Sequence, residues 1–362
     1  MVTPLLLALK ALVTASPEMK EELKVNMALI NVLYSAVSSS FGNRSHTAHM
    51  HLAGTILMCE LGHDVFTSVI RDRLAEMQTT LASAQENRKV HYKEQMNRVT
   101  DWATQFAQDH EIYVKSTQAV QTIKSNVFDD DLIERSLVSL RTLWKNHPKS
   151  RKLLQVEFGY VDTILGCLRN ADEGVVQNAC QALEVLLSPC ADRGGETLDN
   201  LIDMIVRHSG LAFLDTLIRT EGNVDIKKAA LKVLITVLKR QDSQSLKDTV
   251  QDEVKRLQTV TYCASQISRF PDNEVDEEVM ATLLELTAFA ITGSKSLSKF
   301  VTDGGALNKI AVQLTIVVEE FNRGAQSLDG DLLRVQLGML DKLVLAVTAV
   351  VKEYQPAKKA LL

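Results

Sequence analysis

Apolar residues recur at helical spacing along this chain, in runs of about 10–20 residues broken by short polar turns, and no stretch sustains period-two alternation. The pattern predicts helix throughout. Asp129-Asp130-Asp131 precedes Leu132, Leu137, Leu140 and Leu143, where carboxylates favour a helix start through capping and the macrodipole. Asn170 to Gly174 precedes Val176, Ala179, Cys180, Leu183, Leu186 and Leu187, and Gly222 to Asp225 precedes Ile226, Ala229, Ala230, Val233, Leu234, Val237 and Leu238. Long helices are therefore expected near 45–60, 131–146, 175–188, 225–240, 275–292 and 330–352. They repeat. Leu9 to Leu52 lies without a gap on Leu140 to Leu183 at an offset of 131 residues, pairing Pro17 with Pro148, Leu12 with Leu143, Ala48 with Ala179 and Leu52 with Leu183. That offset holds three periods of roughly 44 residues, a spacing typical of helical solenoid repeats.

Shorter helices of a second kind sit between the long ones: Gly159 to Leu165, echoed by Phe213 to Ile218 and by Gly304 to Ile310. Here the chain resembles the armadillo family, whose repeats carry a short first helix, a glycine-marked bend, a second helix, and a longer third helix with a small residue before a Leu. Leu154 to Gly159, Val161 to Leu168 and Ala179 to Leu187 follow that order, with Ala48, Ser136 and Ala229 at the same small position as Ala179. The resemblance implies an all-α, right-handed α-solenoid of armadillo-like, in part HEAT-like, repeats. It also implies one stack over residues 1–362, with N-terminal repeats in 1–60, a departure in 61–130, and C-terminal repeats in 131–362. The departure centres on Glu76 to Ile123, a polar helical stretch read as a degenerate repeat or an elongated helix pair. Met1 enters almost at once into a helix without a polar cap, so either residues precede it or a partner covers that end.

Composition narrows the function. The chain has 6 Pro, 16 Gly and 46% hydrophobic residues, without a Pro- or Gly/Ser-rich linker. A net charge of −5 argues against a chain-wide basic field for nucleic acid, and no apolar run reaches the roughly 20 residues that span a bilayer. Cys59, Cys167, Cys180, Cys190 and Cys263 show no CxxC pairing and read as free thiols in a reducing, cytoplasmic compartment.

Few motifs carry chemistry. His46, His49 and His51, with Cys59 and His63 nearby, are the one metal-like cluster, but His51 points about 200° away from His49 on a helix, so a solvated or partner-facing helix start fits better. Nucleotide-binding, hydrolase and zinc-protease signatures are missing, so neither enzyme activity nor a cofactor is expected.

In the armadillo family the residues two and six after the small position line the concave groove, as Trp and Asn in the nuclear-import adaptors. Those positions here are Val138 and Thr142, Gln181 and Val185, and Leu231 and Ile235. They are the candidate partner-binding residues. The missing Trp/Asn ladder argues against basic nuclear-localisation peptides, and the groove lacks a lysine-rich lining, although a slip of one residue in register alters both readings. Leu231 and Ile235 are either a groove stripe or core. The expectation is a non-catalytic scaffold that binds another protein's segment, or a subunit of a larger, cytoskeletal or ciliary, assembly; the alternative is a co-chaperone or nucleotide-exchange-type regulator of an ATPase or GTPase.

Overall fold

Capping side chains start several helices where the sequence places them. The Asp129 carboxylate accepts the Leu132 N–H at 3.0 Å and the Asp172 carboxylate accepts the Val175 N–H at 2.9 Å, each filling one donor that a helix start leaves open. Ser16 accepts from Met19 at 3.3 Å, with Pro17 at the first helical position. In the computed structural model, which describes residues 2–40, 48–151, 153, 158–188, 195–220, 222–239, 244–269, 277–327 and 330–360, all regular structure is α-helical. The chain is an all-α helical repeat protein.

The elements are α1 (Val2–Ala15), α2 (Pro17–Lys24), α3 (Met27–Ser40), α4 (Ala48–Leu61), α5 (His63–Ser83), α6 (Glu86–Ser125) and α7 (Asp130–Asn146). They continue as α8 (Phe158–Cys167), α9 (Glu173–Leu187), α10 (Gly195–Arg207), α11 (Gly210–Thr220), α12 (Val224–Lys239) and α13 (Gln244–Arg256). The last are α14 (Thr259–Arg269), α15 (Glu277–Ile291), α16 (Lys295–Asp303), α17 (Ala306–Ser327), α18 (Gly330–Glu353) and α19 (Ala357–Ala360). Each of the six expected long helices is present, as α4, α7, α9, α12, α15 and α18. The polar stretch 76–123 takes the form of a helix pair, α5 and α6, rather than a repeat of short helices. The first helix of the quoted repeat, at 154–157, lies outside the described residues.

Packing divides the chain into two compact units, residues 1–160 with 189–197 and residues 161–188 with 198–362. In the second unit α9 packs on α12, α12 on α15 and α15 on α18, while α11, α14 and α17 pack in the same succession beside them. This is the nearest-neighbour stacking of a solenoid. The small residues expected at the helix contacts are buried: Ala179 is 0% exposed and Ala229 5%. Glycine matters at two bends. Gly305 has φ +77°, a left-handed conformation between α16 and α17 that a side chain would strain. A Cβ at Gly210 would stand 2.8 Å from the Ile205 carbonyl oxygen, too close to tolerate. Gly159 lies inside α8 with no positive φ.

The first unit is held differently. Helix α6 runs 40 residues and packs on α4, α5 and α7. Trp102, Phe106, Asp109, Ile112, Tyr113, Ser116, Val120 and Ile123 form its buried stripe, stepping three or four residues at a time apart from the adjacent Ile112 and Tyr113. Several of these are polar and bonded: Trp144 Nε1 donates to Ser116 Oγ at 3.0 Å, and Tyr113 Oη donates to Glu60 Oε1 at 2.6 Å. Trp102 stacks on Phe106, and Tyr34 meets Trp102 edge-on. Asp109 accepts from Ser150 at 2.7 Å and Gln105 at 2.8 Å. Burial pushes its carboxyl up from 3.8 to about 6, against the pull of those two hydrogen bonds.

Two expectations follow. Ala179→Leu overpacks the α9–α12 contact at a cost of roughly 1–3 kcal/mol. Hydrogen exchange should show lost protection spreading from α9 into α12, whereas half-buried Gln181→Leu leaves both protected; equal effects from the two would refute the proposed close approach. For Asp109, the folded state binds the proton more tightly than the unfolded chain, so this group favours folding below about pH 4 and loses that contribution as pH rises through about 6. Asp109→Asn should therefore stabilise the first unit by up to about 3 kcal/mol at pH 7.5, with the gain shrinking toward pH 4.5. Both tryptophans are buried in this unit, so denaturation followed by their fluorescence reads the difference directly.

Candidate partner-binding face

The long helices of the second unit leave one narrow stripe open. On α12, Ile226, Ala229, Ala230, Leu231, Val233, Leu234, Ile235, Val237 and Leu238 are all buried, because α9 and α15 flank the helix while α11 and α13 cover other sides. Besides Val224 and Lys227 near its start, the helix keeps Asp225, Lys228, Lys232, Thr236 and Lys239 accessible, spaced three or four residues apart on one face. Helix α9 contributes Gln177, Gln181, Glu184 and Val185 to its own open side, and α15 contributes Glu278, Ala281 and Glu285.

Ion pairs cross this face from helix to helix. Lys228 Nζ lies 2.8 Å and Lys232 Nζ 3.9 Å from the Glu278 carboxylate. Glu285 sits between Lys239 and Lys342, pairing with both, the latter at 3.2 Å. Asn223 donates to Glu173 at 2.5 Å, tying α12 back to α9. Exposed pairs of this kind contribute about 0–1 kcal/mol each, so they fix which helices lie side by side more than they hold the stack together. Glu285, with only 14% of its side chain exposed, is the most enclosed member.

The expected groove residues divide. Val138 is half-buried and Thr142 exposed on α7 in the first unit; Gln181 and Val185 are half-buried on α9 in the second. Leu231 and Ile235 are core, 0% and 5% exposed, and do not line an open groove. The reason is register: counting 50 residues from Gln181 reaches Leu231, but the open face follows a spacing of 51, which reaches Lys232. A slip of one residue turns a helical side chain by about 100°, enough to exchange core for surface. The expectation of a lysine-poor face fails for the same reason. Lys228, Lys232 and Lys239 were legible as a set, since positions i, i+4 and i+11 share a helix face.

The histidine cluster does not assemble among the described residues. His46 lies outside them and the His49 side chain is not described, while His51 Nδ1 is 3.0 Å from the Val37 carbonyl. His63 stacks on Phe106 and meets His110, whose basicity is lowered by burial and then by His63 itself. Among the described residues, no three His, Cys, Asp or Glu side chains converge to hold a metal. Cys59, Cys167, Cys180 and Cys263 are buried and free; burial alone or chiefly raises their thiols, to about 11 for Cys167 and about 12 for Cys180 and Cys263. Cys190 lies outside the described residues. No described helix is long and apolar enough to cross a membrane.

No protein-family model matches the chain, and no curated protein matches it. Among solved structures it is similar to an engineered protein from a structural-genomics programme, with 16% identity, 87% of this chain and 97% of that one covered, and a TM-score of 0.43. It is also aligned with a circular tandem repeat protein of novel repeat topology and enhanced subunit contact surfaces, at 12% identity, 97% coverage of both chains and a TM-score of 0.17. Likenesses this distant carry no family assignment, and the repeat fold rests on the helices and their stacking.

The register is open to direct test. Leu231→Ala empties a core position and should cost about 2–5 kcal/mol, whereas Lys232→Ala should stay within about 0.5 kcal/mol of wild type. Urea denaturation followed by circular dichroism compares them, and similar costs for both would restore Leu231 to the surface.

Proposed function

We propose that this protein is a non-catalytic scaffold of armadillo-like repeats that binds a segment of another protein across the open face of α9, α12 and α15. The observation that carries this reading is the set of side chains left accessible on successive long helices: Gln181 and Val185 on α9, Lys228 and Lys232 on α12, and Glu278 on α15, the last paired with both lysines. Alternating glutamine, lysine and glutamate over a rigid surface suits an extended chain, whose backbone amides and mixed side chains find donors and acceptors in turn. The most shifted titrating groups, Asp109 and the four cysteines, are buried, with thiols held protonated rather than activated as nucleophiles. Reduced buried thiols suit a reducing compartment such as the cytoplasm.

A photo-crosslinking amino acid placed at Gln181 or Lys232 tests the assignment in cells that make the protein, with exposed Thr216 on α11 as the control position. The expected result is one shared partner segment captured from both stripe positions and not from Thr216. Equal capture at all three, or none at the stripe, would remove the face from consideration. Capture of an ATPase or GTPase that depends on its nucleotide state would instead favour a regulator of nucleotide exchange.

A further inference from the structure

In the second unit a cavity of about 850 Å³ opens among α14, α15, α17 and α18. Its floor is apolar, with Leu284 and Leu343 each 1% exposed, Met280 2% and Ile310 0%. Met339 adds a second thioether to the lining. Glu278, Gln313, Glu320, Arg334 and Lys342 also line the cavity, none of them buried, and among the buried lining residues one is polar: Gln336, 8% exposed, whose Oε1 has no hydrogen-bond partner. A buried acceptor left unpaired costs about 1–3 kcal/mol, so it marks a place where a donor is wanted. Glu278 and Lys342 belong both to the cavity lining and to the ion pairs of the open face, which makes the cavity continuous with that face.

The chemistry of the site selects its occupant. A charged donor deep enough to reach Gln336 would lose its hydration over the apolar floor for one neutral acceptor, because the lining carboxylates, Glu278 and Glu320, belong to exposed residues. A phenolic hydroxyl would satisfy Gln336 but bring an acceptor of its own that needs a partner. An indole has a large apolar body, a single N–H donor and no acceptor, and its ring makes favourable contacts with thioether sulfur. We propose that the cavity seats a tryptophan side chain of the partner segment, with the indole N–H on Gln336 Oε1 and the ring against Met280 and Met339. This rests on the reading of the open face as a partner-binding surface. The chain does not supply the residue from a second copy: it has two tryptophans, Trp102 and Trp144, and both are buried in the first unit. A cavity of this size lies within the range of roughly 300–1,000 Å³ found for ligand sites and has room for the anchor with flanking backbone.

The test titrates the full chain, labelled at its methionine methyls, with N-acetyl-L-tryptophanamide and with the analogue methylated on the indole nitrogen. Shifts should concentrate at Met280 and Met339 among the 10 methionines, and the N–H probe should bind about three- to tenfold more tightly than the methylated one, the worth of one hydrogen bond. Gln336→Leu should abolish that preference while retaining binding of both probes. Absence of shifts at Met280 and Met339 up to millimolar probe, equal binding of the two probes by the wild type, or an undiminished preference in Gln336→Leu would each overturn the proposal. Should the Leu variant fail to fold, the wild-type comparison of the two probes decides alone. Crosslinking from Gln181 and Lys232 that persists while the probes fail would overturn the tryptophan seat and leave the binding face standing.

Discussion

Everything in the second unit depends on one constraint: a long helix of this composition cannot bury its apolar surface with residues of its own repeat. Helix α12 carries nine buried residues spread round most of its circumference, and satisfies them only because α9 and α15 stand on either side. Each helix is at once core for its neighbours and dependent on them. The surface left over is therefore narrow and regular, a line of side chains three and four residues apart, and that regularity gives the face its character. The proposed binding face is what packing cannot use.

The first unit meets the same demand by other means. The stripe of α6 mixes aromatic rings with buried polar groups, and three of the bonds there join elements distant in sequence: Trp144 to Ser116, Ser150 to Asp109, Tyr113 to Glu60. Low local dielectric strengthens such bonds once made and makes a missing partner expensive, so the arrangement is specific about which residues meet. A carboxyl pushed upward by burial is the cost of that specificity at Asp109.

The long helices were legible because their signal is redundant: capping residues at Asp129 and Asp172, apolar periodicity, and a small residue at Ser136, Ala179 and Ala229 all agree. The α6 stripe was less so, since Ser116, Asp109 and Tyr113 do not read as core until their partners are known. Two of the candidate groove residues, Leu231 and Ile235, are buried where the sequence left groove and core both open. Leu231 and Lys232 are adjacent, and only the packing of α9 and α15 against α12 decides which of them faces outward. Gln336 carried no signal at all, because an unmatched acceptor is a property of surroundings assembled from four helices.

The buried cysteines have a consequence of their own. Cys59 lies in the first unit; in the second, Cys167 on α8 and Cys180 on α9 sit close together in the chain, and Cys263 lies further along on α14. With burial holding these thiols protonated and out of reach of solvent, an alkylating reagent modifies each one only when its surroundings open. The chain thus carries four native clocks, and the order in which they react records the sequence in which their surroundings come apart.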